Sequence, residues 1–323
     1  MDVYFYEAFT EEAEALEAIL PPSIRAGYTP KTIQESGDSL PRAPLLSVRT
    51  QSIIPGSWSR KITGIMTRTT GYDHVLAYLK TCGVAIPTGY LPRYCPRAVA
   101  EQAVLLFMAL LRKLPMQIDH FNRFDRNGLT GGECEGKTLV VVGVGNIGYE
   151  IVRLGLGLGM EVIGVDIVEK HKTVRYLPIR EAVPRAHVLV CSMNLTDQNR
   201  GYFNEKLFES CKPGALFVNV ARGEMSPSSH LLRSLEAGRL GGVGLDVFDH
   251  EAILAESLRT GKTVDDSEAA AALALARHPL AILTPHNAFN TQESVDRKAS
   301  HTVEQVVGFI RDKRFQWPVP ENR

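Results

Sequence analysis

Between residues 138 and 286 the chain repeats one pattern, a short continuous apolar run followed by a segment of helical character. The runs are TLVVVGVG (138–145), EVIGVD (161–166), HVLVCSM (187–193), ALFVNVA (215–221), GGVGLDVF (241–248) and LAILTPH (280–286), with helical stretches at 147–159, 204–211 and 226–238. A strand that is apolar throughout, not at alternate positions, has to be covered on both faces. A parallel sheet flanked by helices on both sides meets that requirement. The pattern therefore predicts one doubly wound α/β domain of six strands over residues 104–285.

The first hundred residues repeat the pattern more weakly. VYFYEA (3–8), APLLSV (43–48) and KITGIM (61–66) read as strands, and 10–20 and 76–81 as helices. At 323 residues the chain is long for a single core, which agrees with a second, smaller α/β unit. Segment 97–113 is apolar nearly all round beyond Ala103, as a helix buried between domains would be. Segment 291–312 sets Val295, Ala299, Val303, Val306 and Ile310 on one face. It is expected to carry the chain back to the first unit, so the smaller domain should comprise 1–103 and 286–323.

The first strand of the larger domain runs into GVGNIG, with Gly143, Gly145 and Gly148 in the spacing GxGxxG ahead of a helix. Gly143 suits a tight turn, Gly145 a close approach of backbone to a pyrophosphate, and Gly148 close packing of helix on strand. Together with Asn146 and Ile147 these residues form the expected phosphate loop, backed by the amides and dipole of the helix N-terminus. Asp166 ends the next strand. A carboxylate there accepts bonds from both ribose hydroxyls and repels a 2′-phosphate, which favours NAD over NADP.

Ligands of an open parallel sheet bind beyond the carboxyl ends of its strands. Those ends carry the glycine loop, Asp166, the SMNLT turn with Asn194, Arg222, Asp246 and His286. Taken singly, an arginine after a strand makes a surface ion pair and a lone histidine is structural. Taken together they suit reduction of a keto acid. A guanidinium fork holds the carboxylate, an imidazolium supplies the proton, and a carboxylate such as Glu251 orients and charges the imidazole.

NVARGE, GLDVFDHEA and TPHNAFN, following GVGNIG and Asp166, resemble the D-isomer-specific 2-hydroxyacid dehydrogenases in kind and order. TRTTGYDHV (67–75) and the returning helix extend the likeness over nearly the whole chain. The resemblance implies a Rossmann nucleotide domain and a smaller flavodoxin-like substrate domain. It also implies Arg222 on the substrate carboxylate and carbonyl, His286 as acid/base, Glu251 as its partner, and Asp246 on the nicotinamide carboxamide. Backbone amides at Thr70 and Gly71 would help grip the carboxylate. YCPRAVAEQAV and HNAFNT are similar to the D-lactate dehydrogenase branch, and would bring Tyr94 and Phe289 to the substrate. A homodimer is implied by the same resemblance. The chain departs from the family at SMNLT, where Asn194 stands for a proline, at HEA, and over the alanine-rich stretch 252–279.

The 36 basic and 36 acidic residues cancel, so nothing in the charge suggests nucleic acid or an anionic membrane as partner. The start lacks the pattern of a signal peptide, and no apolar stretch is long enough to span a bilayer. Five cysteines without a CxxC pair suggest reduced thiols, a cytoplasmic location and no zinc site. The expected substrate is a small, pyruvate-like 2-keto acid reduced to its (R)-2-hydroxy acid. Two alternatives stay open: an enzyme for another small anion (glycerate, formate, phosphite or a 2-hydroxy-dicarboxylate), and an NAD(H)-sensing protein like the corepressors on this scaffold.

Overall fold

The computed structural model describes residues 1–262 and 265–320. Its contacts separate Met1–Cys95 and Asn290–Arg323 (unit 1) from Pro96–Phe289 (unit 2). The divisions fall at 95/96 and 289/290, not at 103/104 and 285/286, because the whole helix Pro96–Leu111 packs on the larger sheet and on the helix Asn146–Gly157. The last three residues of the expected 286–323 segment lie outside the described residues.

Unit 1 holds five parallel strands: β1 (Val3–Phe5), β2 (Ala26–Tyr28), β3 (Leu45–Val48), β4 (Gly64–Thr67) and β5 (Thr88–Gly89), in the order β2-β1-β3-β4-β5. This is the flavodoxin-like order, whose direction reverses between β1 and β3. Every residue of β1, β3 and β4 is buried, Ser47 and Thr67 included, as strands covered on both faces require. The helix Gln292–Asp312, capped by Thr291 Oγ1 on the Ser294 amide, packs against Thr10–Ile19. A charged group lies within that packing. Glu12 Oε1 accepts from Arg68 Nε at 2.8 Å and meets Lys298 Nζ at 2.6 Å, all three side chains fully buried.

Unit 2 holds seven parallel strands: β6 (Thr138–Val142), β7 (Glu161–Val165), β8 (Arg175–Tyr176), β9 (Val188–Cys191), β10 (Ala215–Asn219), β11 (Leu240–Leu245) and β12 (Ala281–Leu283). Their order is β12-β11-β10-β9-β6-β7-β8, so the sheet winds outward in both directions from β6. All six apolar runs form strands. The seventh, β8, is a two-residue edge strand too short to carry a period. The stretch 252–279, anonymous as sequence, contains most of the helix Glu251–Thr260 and all of Ser267–Leu275, with 263–264 outside the described residues. Asp266 caps the second of these at the Ala269 amide and also meets His250 Nδ1 at 2.7 Å, which ties the two helix starts together.

Candidate active site

Beyond the end of β6 the backbone turns through Gly143, at φ +90°. A side chain there would run into the backbone of Ser192 and Met193, which follow β9. Ser192 Oγ donates to the Gly143 carbonyl at 2.7 Å and so fastens the two loops at the point where the sheet reverses. A methyl on Gly148 would overlap the same carbonyl oxygen, so the helix packs there only as glycine. Gly145 differs. It precedes the first helical residue without a side-chain cap, and a Cβ on it would meet nothing within 4 Å. Open space in front of an uncapped helix start is what a pyrophosphate needs.

Asp166 takes the expected place at the end of β7. Its Oδ2 accepts from the Val144 amide at 2.6 Å and its Oδ1 from the Val168 amide at 3.0 Å. Each oxygen keeps a lone pair for a ribose hydroxyl. Ile167 beside it is fully exposed. Asn146 and Asn194 are exposed and Ile147 is half-buried. The Asn194 carbonyl accepts from Asn199 Nδ2 at 2.8 Å. The residues present fit NAD.

Past β12 the chain turns at His286, a non-glycine residue at φ +51°, a conformation maintained only where surroundings fix it. Asp246, beyond β11 and 1% exposed, supplies that fixing. Its Oδ1 accepts from Thr284 Oγ1 at 2.5 Å and the Asn287 amide at 2.8 Å, and its Oδ2 from the Ala288 amide at 2.8 Å. Burial pushes the Asp246 carboxyl above its usual range, opposed by the nearby His286 and by these bonds. His286 Nδ1 lies 2.8 and 2.9 Å from the two oxygens of Glu251, the first residue of the helix Glu251–Thr260. A carboxylate accepts, so Nδ1 carries the proton and Nε2 is the nitrogen that can exchange one. Both side chains are about one-fifth exposed.

Arg222 follows β10, half-buried, with Nη1 donating to the Ala221 carbonyl at 2.8 Å. Its turn is held by Asn219, which is fully buried. Asn219 Nδ2 donates to the Arg222 carbonyl and to Ser226 Oγ, and its Oδ1 accepts from the Ala221 amide. Gly223 opens a short 3-10 turn, and a Cβ there would overlap the backbone of Phe248 and Asp249. That close approach brings the Arg222 turn against the segment leading to Glu251.

Thr70, Gly71 and Tyr94 belong to unit 1. Thr70 Oγ1 donates to the Leu91 carbonyl at 3.0 Å, and Thr69 Oγ1 donates to the Gly71 carbonyl at 2.6 Å. Tyr94 is 3% exposed, with its carbonyl accepting from Arg297 Nε at 2.8 Å and its ring 5.8 Å from Lys298 Nζ. Burial pushes its phenol well above the usual value. Phe289, in unit 2, is buried. The sequence reading passed over the anchoring residues Asn219, Ser192 and Thr284. A single buried amide within an apolar strand was the available sign of the first. Among the described residues no cluster of His, Cys, Asp and Glu could hold a metal ion, and no helix is long and apolar enough to cross a membrane.

A model of the NAD-binding domain of the D-isomer-specific 2-hydroxyacid dehydrogenases matches residues 104–288. The chain belongs to that family. D-lactate dehydrogenase of Streptococcus pyogenes is 30% identical over 230 residues, 68% of either chain. An aromatic 2-oxoacid reductase of Clostridium sporogenes is 29% identical over 252 residues, 76% of this chain and 75% of that one. The crystal structure of D-lactate dehydrogenase from Aquifex aeolicus, complexed with NAD and lactic acid, superposes with a TM-score of 0.83 at 27% identity, covering 98% of this chain and 99% of that one. This protein is thus an NAD-dependent D-2-hydroxyacid dehydrogenase, similar to the D-lactate dehydrogenase branch. Its Arg222, Glu251 and His286 stand at the carboxyl ends of a NAD-binding sheet.

Proposed function

We propose that the enzyme reversibly reduces a small 2-oxo acid, of which pyruvate is the simplest, to the (R)-2-hydroxy acid. The observation that carries this reading is the bond of His286 Nδ1 to both oxygens of Glu251, on the same strand-end surface as Arg222. NADH, when bound, supplies the hydride equivalent that reaches the carbonyl carbon. Arg222 binds the substrate carboxylate through its planar fork and polarises the carbonyl. His286 delivers a proton from Nε2 to the carbonyl oxygen as negative charge develops there, and in the oxidative direction withdraws it. Glu251 fixes the imidazole and offsets the charge of its protonated form. Asp246 retains one acceptor position on Oδ2 for the nicotinamide carboxamide. Thr70, Gly71 and Tyr94 are unit 1's proposed contribution to substrate binding, and Phe289 that of unit 2.

Absorbance of NADH at 340 nm, followed with a panel of 2-oxo acids, tests the reading. His286→Ala is expected to lower kcat by about 10²–10⁴-fold, with NADH affinity by fluorescence within about threefold of wild type. Full activity in that variant would refute the assignment. Binding of NADH without turnover of any 2-oxo acid would favour a nucleotide sensor instead. The five free thiols support a cytoplasmic location. A homodimer is supported by an exposed apolar face on unit 2, where Leu105, Ile118, Phe121 and Phe124 are 57%, 66%, 73% and 75% exposed.

A further inference from the structure

The helix Glu251–Thr260 carries the carboxylate that meets His286, yet it has little apolar packing to hold it. Among its described residues only Leu254 is buried, while Ile253 and Leu258 are 38% and 63% exposed. Burial of an apolar face is what ordinarily fixes a helix in place. Here the start of the helix, where Glu251 stands, is fixed by polar ties instead.

His250 precedes Glu251 at φ +53° and ψ +36°, in the left-handed region, and its side chain makes no capping bond to the helix. Its carbonyl accepts from the amides of Ile253 and Leu254 at 3.0 and 3.1 Å, and its own amide donates to Asp249 Oδ1 at 3.0 Å. Its ring reaches the next helix, where Nδ1 lies 2.7 Å from Asp266 Oδ2. The other oxygen of Asp266 accepts from the Ala269 amide at 2.8 Å, at the start of Ser267–Leu275. That helix is itself anchored, because Glu268 accepts from the Ser229 amide and hydroxyl at 3.0 and 2.6 Å. Ser229 opens the helix Ser228–Glu236, just beyond Ser226, which Asn219 bonds as it holds the Arg222 turn. The His250 ring thus ties the Glu251 end of its helix to a framework continuous with Arg222.

The bond to Asp266 raises the His250 imidazole above its ordinary value; burial opposes this, and the charges of Asp249, Asp266 and Glu268 add to it. The pair is accordingly ionic at lower pH and is lost as pH rises through that raised value. We propose that His250 and Asp266 position Glu251, holding its carboxylate on His286 Nδ1 and so supporting the protonated imidazole that reduction requires. This role rests on the 2-oxo acid reading above and is exerted through Glu251.

Two substitutions break the tie while sparing the local backbone. His250→Asn removes the imidazole and leaves a residue that adopts positive φ readily. Asp266→Asn removes the charge and leaves a side chain that caps a helix. With the best 2-oxo acid of the panel, each should lower kcat about tenfold, with NADH affinity by fluorescence within about threefold of wild type. Each should also move the alkaline limb of the kcat/KM profile for reduction about one pH unit lower, since a displaced Glu251 no longer favours the charged imidazole. In a Glu251→Gln background, His250→Asn should change kcat less than about twofold. If circular dichroism shows one variant misfolded, the other decides. A wild-type kcat and pH profile in the folded variants would overturn the proposal. An undiminished loss in the Glu251→Gln background would do the same, since it means a route other than Glu251. Absence of turnover by the wild-type enzyme with every 2-oxo acid, pyruvate included, would overturn the reading of function along with it.

Discussion

A guanidinium at the mouth of a buried strand needs an anion, and in the sequence Arg222 pointed to a substrate carboxylate only in company with His286 and Glu251. The structure adds how its position is held. Asn219 makes three bonds around the Arg222 turn from a fully buried site, where a polar group left without a partner costs about 1–3 kcal/mol. The geometry is therefore set before any substrate arrives. Arg222→Lys keeps the charge and loses the fork, so kcat/KM for a 2-oxo acid should fall on the order of 100-fold, as measured by NADH oxidation. A change of less than about threefold would show that a point charge suffices. Arg49 is the contrasting case. Nothing in the local sequence reveals that its guanidinium lies 5.6 Å from the Phe9 ring, which Lys298 also approaches. Those neighbours come from segments far apart in the chain, and Lys298 sits on a helix whose charged residues otherwise read as a solvated face.

Long elements were legible because their periods are. Each apolar run read as a strand became one, and each long helix read from the sequence formed within a few residues of its expected ends. The strands that escaped notice, β2, β5 and β8, have two or three residues and hence no period to detect. The glycine loop is the element in which sequence and geometry agree most closely, yet its three glycines do different things. Gly143 and Gly148 are required by backbone already present, whereas Gly145 faces open space. Gly145→Ala should consequently leave the melting temperature of the unliganded enzyme within about 1 °C of wild type while weakening NADH at least about tenfold by fluorescence titration. Unchanged affinity would mean that the pyrophosphate lies elsewhere. A drop in unliganded stability would mean that the glycine serves the fold itself.

At the scale of the whole molecule, surface is the least legible property, since an exposed apolar residue and a core residue look the same in a sequence. Leu105 and Met108 belong to a segment that reads as buried nearly all round and are instead 57% and 38% exposed, and on the following helix, Leu114–Phe121, Ile118 and Phe121 are 66% and 73% exposed. A paired charge substitution, Ile118→Glu with Phe121→Glu, should convert a dimeric species to monomer in sedimentation velocity without loss of helical circular dichroism. A wild-type chain that sediments as a monomer at micromolar concentration would refute the dimer. By itself the sequence determined the fold class, the nucleotide loop and the strand-end residues Arg222 and His286, because unbroken apolar runs dictate a covered parallel sheet and parallel strands align their ends. Only the tertiary structure decided what each end residue bonds to. It set Asp246 beneath the His286 turn, Asn219 beneath Arg222, and Arg68 and Lys298 on the buried Glu12, since contacts between distant segments depend on packing that no local pattern records.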